Sequence, residues 1–486
     1  MSTPQENKAK YEELREKYPL FVYESYHYSS NKEGIDIRFC FKIYDKDKKE
    51  AFCFTPTLFI PFRSFYRFEK LEKAQWDRLL FHCGLVELIS YWKCVCSPKV
   101  EVRCGFLDQN QIRWFQNLYY QGLGEFFYLN GIPATPQDFM SLHSVSIAQT
   151  EADPPLSYDL SGKVIIPVGG GKDSVVTLEI IRSVADCKGF ALPMIINPRG
   201  ATKACCRVAG YEPMDILVMN RSIDPLLLKL NEEGFLNGHT PFSAMLAFSS
   251  LLLAALIGRK YIALSNESSA NESTVQGTQV NHQYSKTYSF ETDFRNYTRQ
   301  YISPDFEYFS FLRPLSEIGI ARLFASYPAY HNVFRSCNVG SKQDTWCGHC
   351  PKCLFAYIIL SVFIVPEKME EIFGKNLLND PTLKTILDEL IGQLPVKPFE
   401  CVGTTEEVNW ALQQWIQKYG LSEGSPLKYP KPYLITYYQS LSLSQKKIPN
   451  SILNDFNAQH HLSPYFVSLL KETLYSKEIC HAEERA

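Results

Sequence analysis

The stretch VIIPVGGGKDSVV, residues 164–176, decides how this chain is read. An apolar run stops at Gly169, Gly170 and Gly171; Lys172, Asp173 and Ser174 follow, and then an apolar pattern at helical spacing begins. Strand, glycine turn and helix start in succession shape a backbone to hold a phosphate. Glycines let peptide N–H groups approach the oxygens closely, and the positive end of the helix points at them. Spacing excludes two familiar phosphate loops. A kinase-type loop needs Ser or Thr directly after Gly-Lys, and here Asp173 intervenes between Lys172 and Ser174. A dinucleotide fingerprint needs a third glycine where Ser174 stands.

Outward from the loop, the short apolar runs KVIIPV, ALPMIIN, DILVMN and YIALSN alternate with helical stretches over 173–186, 224–234 and 241–258. This alternation predicts an α/β domain built on a parallel sheet. The preceding residues carry short alternating segments such as GIDIRFCFKIY and an apolar helical run over 80–93, which predict an α+β domain. The Pro-rich string EADPPLSYDLSG, residues 151–162, marks a boundary. After Pro366 the pattern is mainly helical, and Thr404 with Glu407 predicts a capping box. The expected division is an N-terminal α+β domain over 1–155, a loop domain over 156–365 and a helical region over 366–486.

The chain has 486 residues, with 45% hydrophobic and 21% charged, which is ordinary for a globular protein of two or three domains. Lys plus Arg is 50 and Asp plus Glu is 52, so the balance gives no electrostatic case for a nucleic-acid partner. The longest apolar stretches, 244–258 and 353–365, fall short of the roughly 20 residues that cross a bilayer, so no membrane insertion is expected. The polar first residues hold no signal-peptide core, and 15 cysteines, an odd number, predict a reducing cytoplasm rather than a disulfide framework.

The string SCNVGSKQDTWCGHCPKC carries Cys337, Cys347, Cys350 and Cys353. Two-residue gaps turn neighbouring thiolates toward one ion, and four thiolates make a closed tetrahedral Zn²⁺ site that is structural, since no position stays open. Buried cysteines in a tight turn are the alternative, and His349 is a substitute ligand only if its ring turns inward. Polar strings follow expected strand ends, where ligands bind in such sheets. They supply Arg199, Asn266, Glu267, Asn271, Glu272, His239, Asn281, His282, Tyr284 and Lys286. Taken singly, each of these is more often structural.

The motif G-G-x-D-S resembles the pyrophosphate loop of N-type ATP pyrophosphatases, which split ATP between the α and β phosphates. Gly169 stands where that motif begins with Ser. The resemblance implies an adenine-nucleotide α-hydrolase-like (PP-loop) fold, with Gly169, Gly170, Gly171, Lys172, Asp173 and Ser174 on ATP and Mg²⁺. A longer run of strings resembles the MurL family of UDP-N-acetyl-α-D-muramoyl-L-alanyl-L-glutamate epimerases: GLVELISYWK, GLGEFFYLN, VGGGKDS, NGHTP, SNESSANE, VNHQYSK, FLRPLSE, WCGHCPKC and KPFECVGT. That resemblance implies inversion of the terminal L-Glu of a UDP-muramoyl dipeptide, with AMP and diphosphate released. His239, His282, Lys286, Glu267 and Cys401 are the candidates for moving the proton at Cα, and Arg199, Asn266, Asn271, Glu272, Asn281 and Tyr284 for holding substrate. The alternative is another adenylating enzyme of this loop class, similar to 7-cyano-7-deazaguanine synthases, amide ligases or tRNA-modifying enzymes. Oligomeric state is not legible.

Overall fold

The structure is a computed structural model that describes residues 4–145, 152–184, 189–275, 277–278, 280–419, 430–446 and 448–483. The early alternating segments form β1 (Leu20–Ser30), β2 (Gly34–Tyr44), β3 (Glu50–Phe54), β4 (Thr57–Pro61), β5 (Lys99–Val102) and β6 (Ser141–Ser144). The four apolar runs around the loop form β7 (Ser161–Pro167), β8 (Ala191–Ile196), β9 (Leu217–Ser222) and β10 (Arg259–Leu264), and β11 (Glu307–Ser310) follows. The fold is α/β. The chain makes two compact units, each assembled from separated segments. The first comprises Met1–Lys163, Leu217–Ile262 and Val280–Tyr308; the second comprises Val164–Ile216, Ala263–Gln279 and Phe309–Ala486. This grouping differs from the expected contiguous division. Residues 217–262 and 280–308 join the N-terminal segments, and the helical C-terminal region joins the loop.

Packing explains the first unit. β1 and β2 pair antiparallel from Leu20↔Tyr44 to Ser30↔Ile35, and Ile35, Ile37, Phe39, Phe41 and Ile43 bury one face of β2. β5 pairs parallel with β1 and β6 parallel with β5, while β4 adds antiparallel to β2. DILVMN forms β9, which pairs antiparallel with β4 through Phe59↔Asn220. The helix Lys73–Trp92 covers the sheet and is buried along nearly its whole length. A Cβ on its Gly84 would lie 1.8 Å from the Tyr23 hydroxyl, so glycine sets how closely helix and β1 approach. The apolar helix Phe242–Ile257 packs on Lys73–Trp92. The Tyr297 ring packs tilted against Trp114, with centroids 4.3 Å apart. These contacts draw both later segments into this unit.

Tyr297 also meets a buried histidine. The Tyr297 hydroxyl donates to His82 Nε2 at 2.9 Å, and His82 Nδ1–H donates to the Arg78 carbonyl at 2.7 Å. Burial pushes the His82 pKa down to about 3 from 6.5. The folded state therefore resists a proton that the unfolded chain accepts. Its contribution is complete above about pH 6.5 and is lost as pH falls toward 3, costing about 2 kcal/mol by pH 5. Denaturant unfolding at pH 7 and pH 5 is expected to show that loss in the native chain and its absence in His82→Asn; equal slopes would refute it.

In the second unit β7 and β8 pair parallel from Val164↔Ala191 to Pro167↔Met194. The helix Lys172–Arg182 follows β7 and buries Val175, Val176, Leu178, Ile180 and Ile181; the expected end of this helix at Asp186 lies outside the described residues. The helix Glu317–Ala325 packs on it, and Pro351–Ser361 packs on Thr405–Tyr419. The capping box forms as expected: Glu407 N–H donates to Thr404 Oγ1 at 3.1 Å and Thr404 N–H to Glu407 Oε2 at 2.7 Å. Among the described residues no helix is long and apolar enough to cross a membrane.

Candidate functional site

The glycine loop sits at the carboxyl end of β7, directly before the helix Lys172–Arg182. Gly170 has φ +84°, and a Cβ there would lie 3.1 Å from the Thr202 peptide nitrogen. Its carbonyl accepts from the Arg335 N–H at 2.8 Å. Gly171 is the extended residue before the first helical turn. Gly169 is different: a Cβ there meets nothing within 4 Å, so packing does not explain why serine is absent. Gly170→Ala is therefore expected to cost about 2 kcal/mol in urea unfolding, and Gly169→Ser no more than about 0.5 kcal/mol; equal effects would contradict the geometry.

Lys172 is buried, and its ammonium is held by the Asp173 and Glu317 carboxylates. Burial opposes its charge, but the two carboxylates outweigh burial and raise its pKa. Glu317, also buried, has its carboxyl pushed up to about 8 by burial, with Asp173 and Glu267 adding repulsion and Lys172 opposing it. The Ser174 hydroxyl donates to the Gly171 carbonyl at 3.0 Å.

Around the loop, long-range contacts tie the expected residues together. The fully buried Arg313 donates to the Glu267 carbonyl at 2.6 Å and to Ser310 Oγ at 3.2 Å, and Asn266 Nδ2 reaches the same Ser310 Oγ at 3.0 Å. Lys397 pairs with Glu272, and Lys352 donates to the Cys401 carbonyl. Glu407 Oε1 accepts from the Glu317 N–H at 2.7 Å. Asn271 closes a short 3₁₀ turn, Ser268–Asn271. Arg199 is exposed before the helix Gly200–Val208, whose first N–H groups, those of Gly200 and Ala201, donate to the Asp344 carboxylate at 2.9 Å.

The four cysteines converge in this unit. Sγ–Sγ distances are 3.8 Å for Cys337–Cys350, 3.7 Å for Cys347–Cys353 and 3.5 Å for Cys350–Cys353. A zinc–thiolate tetrahedron with bonds of about 2.3 Å has edges of about 3.8 Å, so the donor set fits zinc. The Gly340 N–H donates to Cys337 Sγ at 3.1 Å. His349 is exposed, with Nδ1 on the Cys347 carbonyl at 2.9 Å, and is no part of the cluster.

A second cluster lies in the first unit. Glu125 lies in the first turn of the helix Gly124–Leu129, His239 precedes Phe242–Ile257, and His282 precedes the turn Tyr284–Lys286. Glu125 Oε2 meets His282 Nδ1 in a short contact and lies 3.5 Å from His239 Nδ1. Buried Lys93 donates to the Gly238 carbonyl, and burial lowers its pKa to about 8. Burial first, then the His282 charge, brings His239 down to about 4. Asn281 Oδ1 accepts from the Gln283 N–H at 2.7 Å, and the Tyr284 hydroxyl accepts from Asn117 Nδ2 at 3.2 Å. The two imidazole centroids are 4.5 Å apart.

Family models match two stretches of the chain: the MurL N-terminal domain over residues 12–311 and the MurL C-terminal domain over 333–425. The chain belongs to the MurL family. Among curated relatives it is similar to the UDP-N-acetyl-alpha-D-muramoyl-L-alanyl-L-glutamate epimerase of Xanthomonas oryzae pv. oryzae, 35% identical over 336 residues, covering 68% of this chain and 72% of the relative. The protein of that name from Salinispora tropica is 35% identical over 347 residues, covering 70% and 73%. The one from a Micromonospora strain is 34% identical over 347 residues, covering 70% and 75%. No solved structure matches the chain.

The strings that resemble MurL fall into the two clusters. GLVELISYWK, GLGEFFYLN, NGHTP and VNHQYSK meet around Glu125, His239 and His282; VGGGKDS, SNESSANE, FLRPLSE, WCGHCPKC and KPFECVGT meet around the loop and the thiols. Sequence reasoning missed Glu125, Lys93, Arg313, Glu317, Lys352 and Lys397. Each lies inside a quoted string, but its partner lies far along the chain, so the string alone carried no signal for it.

Proposed function

We propose that this MurL-family chain is an ATP- and Mg²⁺-dependent epimerase of peptidoglycan precursor synthesis that inverts the terminal L-Glu of UDP-MurNAc-L-Ala-L-Glu. The loop carries this reading: a left-handed Gly170 between a buried strand and a helix start is a phosphate cradle. The names of the relatives supply the substrate. The hydrogen beside a carboxylate resists removal, because its departure would build a second negative charge. Attack of the glutamate carboxylate on the α-phosphorus of ATP expels diphosphate and gives an acyl-adenylate, whose α-hydrogen is far more acidic. A base removes that proton, an acid returns one to the opposite face, and water cleaves the anhydride to carboxylate and AMP.

Gly169, Gly170, Gly171 and Ser174 hold the phosphates in this reading, and Asp173 supplies a hard oxygen ligand suited to Mg²⁺. Lys172 acts from behind the loop by fixing Asp173 against Glu317. Glu267 and Cys401 are the proton-transfer candidates beside the loop, with His239, His282 and Lys286 as the second set. Asn266, Asn271, Glu272, Arg199, Asn281 and Tyr284 are candidates for holding the substrate. The four thiols hold structural zinc, and a chain rich in free thiols suits a reducing cytoplasm.

The test is incubation with ATP, Mg²⁺ and UDP-MurNAc-L-Ala-L-Glu in D₂O. AMP, deuterium at the glutamate Cα and the D configuration are expected together. ADP in place of AMP would overturn the loop assignment, and AMP formed only with a deazaguanine acid or tRNA would point to another adenylating enzyme. In the same assay, a variant of Glu267 or Cys401 that still makes AMP but incorporates no deuterium identifies the proton carrier.

A further inference from the structure

We propose that Glu125, His239 and His282 form a divalent transition-metal site with open coordination positions, separate from the four-thiol cluster. The inference does not depend on the epimerase reading. It rests on three donors from three distant parts of the sequence converging on one point, with one ligand atom from each lying within 4.8 Å of the other two.

A hydrogen-bonded network does not account for the arrangement. One carboxylate oxygen, Glu125 Oε2, faces both imidazole Nδ1 atoms. His282 is in bonding contact with it, but His239 stands 3.5 Å away, too far for an N–H···O bond of this type. Two ligand atoms at about 2.1 Å from a shared ion lie about 3.0–3.5 Å apart, which is the His239 spacing. The Glu125–His282 pair must part slightly to admit an ion. The side chains are largely enclosed, with 12%, 24% and 12% exposure for Glu125, His239 and His282. His239 keeps an open side.

The donor set selects the metal. Two imidazoles and one carboxylate favour zinc, cobalt, nickel or iron(II) over Mg²⁺, which prefers oxygens alone. Three protein ligands leave positions for water or an exogenous oxyanion, unlike the closed thiolate cluster. The nearby Lys93 and Lys286 cations favour an anion there, such as a carboxylate or phosphate oxygen.

The test uses the full chain equilibrated with zinc and then assayed for bound metal. Glu125→Gln and His282→Ala are each expected to hold one ion fewer per chain than the native protein, with unchanged far-UV circular dichroism. In the cobalt-exchanged native chain, azide is expected to shift weak ligand-field bands while the thiolate-to-cobalt bands stay fixed. Folded variants that retain the native metal content would overturn the proposal. So would a native cobalt spectrum that azide leaves unchanged, a measurement that needs no variant.

Discussion

Asp173→Asn is expected to lower AMP formation by at least about 100-fold, the scale of losing one pre-organised charge at a phosphoryl centre. Asp173 lies in the first turn of Lys172–Arg182, where a carboxylate is favoured by the helix and close to any phosphate bound at its N-terminus. Its side chain is 27% exposed, against 7% for Lys172 and 2% for Glu317. Of the three charges it is the one that can reach a ligand. Asparagine preserves the shape but loses the charge that would hold Mg²⁺. The fold is expected to survive, because Lys172 keeps Glu317 and the lost pair is partly solvated, worth about 1 kcal/mol at most. Diphosphate release measured beside thermal unfolding separates the two effects. Native turnover in this variant would remove Asp173, and with it the Mg²⁺ assignment, from the mechanism.

What the sequence made legible here was local. Strand, glycine and helix at 164–176 are neighbours in the chain, so their geometry follows from propensity and spacing. The capping box at Thr404 and Glu407 spans three residues and was legible for the same reason. Partners were not. The run DILVMN reads as a strand, but nothing in it states that β4 is its neighbour. Lys172 reads as part of the loop, but nothing in the sequence places Glu317, 145 positions away, against it. Glu125 sits in an aromatic string where one carboxylate signals nothing until His282 arrives from 157 positions on. The grouping of segments into units was not legible either, because aromatic packing of Tyr297 on Trp114 joins stretches far apart in the sequence.

Cys353→Ala is expected to release zinc and to destabilise the chain on the order of 5 kcal/mol or more, since a structural site contributes its binding energy to folding. The cluster stands at the start of Pro351–Ser361: Cys350 is the residue before the first turn and Cys353 lies within it, fully buried. That helix carries Leu354, Phe355, Ile358 and Leu360 into the core of the second unit. Lys352, between the two thiols, donates to the Cys401 carbonyl. Losing one thiolate therefore frees a helix start and the segment tied to it, beyond removing a single apolar side chain. In a unit of this size the loss should lower the melting temperature by roughly 10–20 °C. His349→Ala is the control, because that ring is exposed and bonded only to a backbone carbonyl within the same turn. It is expected to retain both zinc and the native melting temperature. A Cys353→Ala chain that melts like the native protein, or a native chain that carries no zinc, would reduce the four thiols to buried apolar residues.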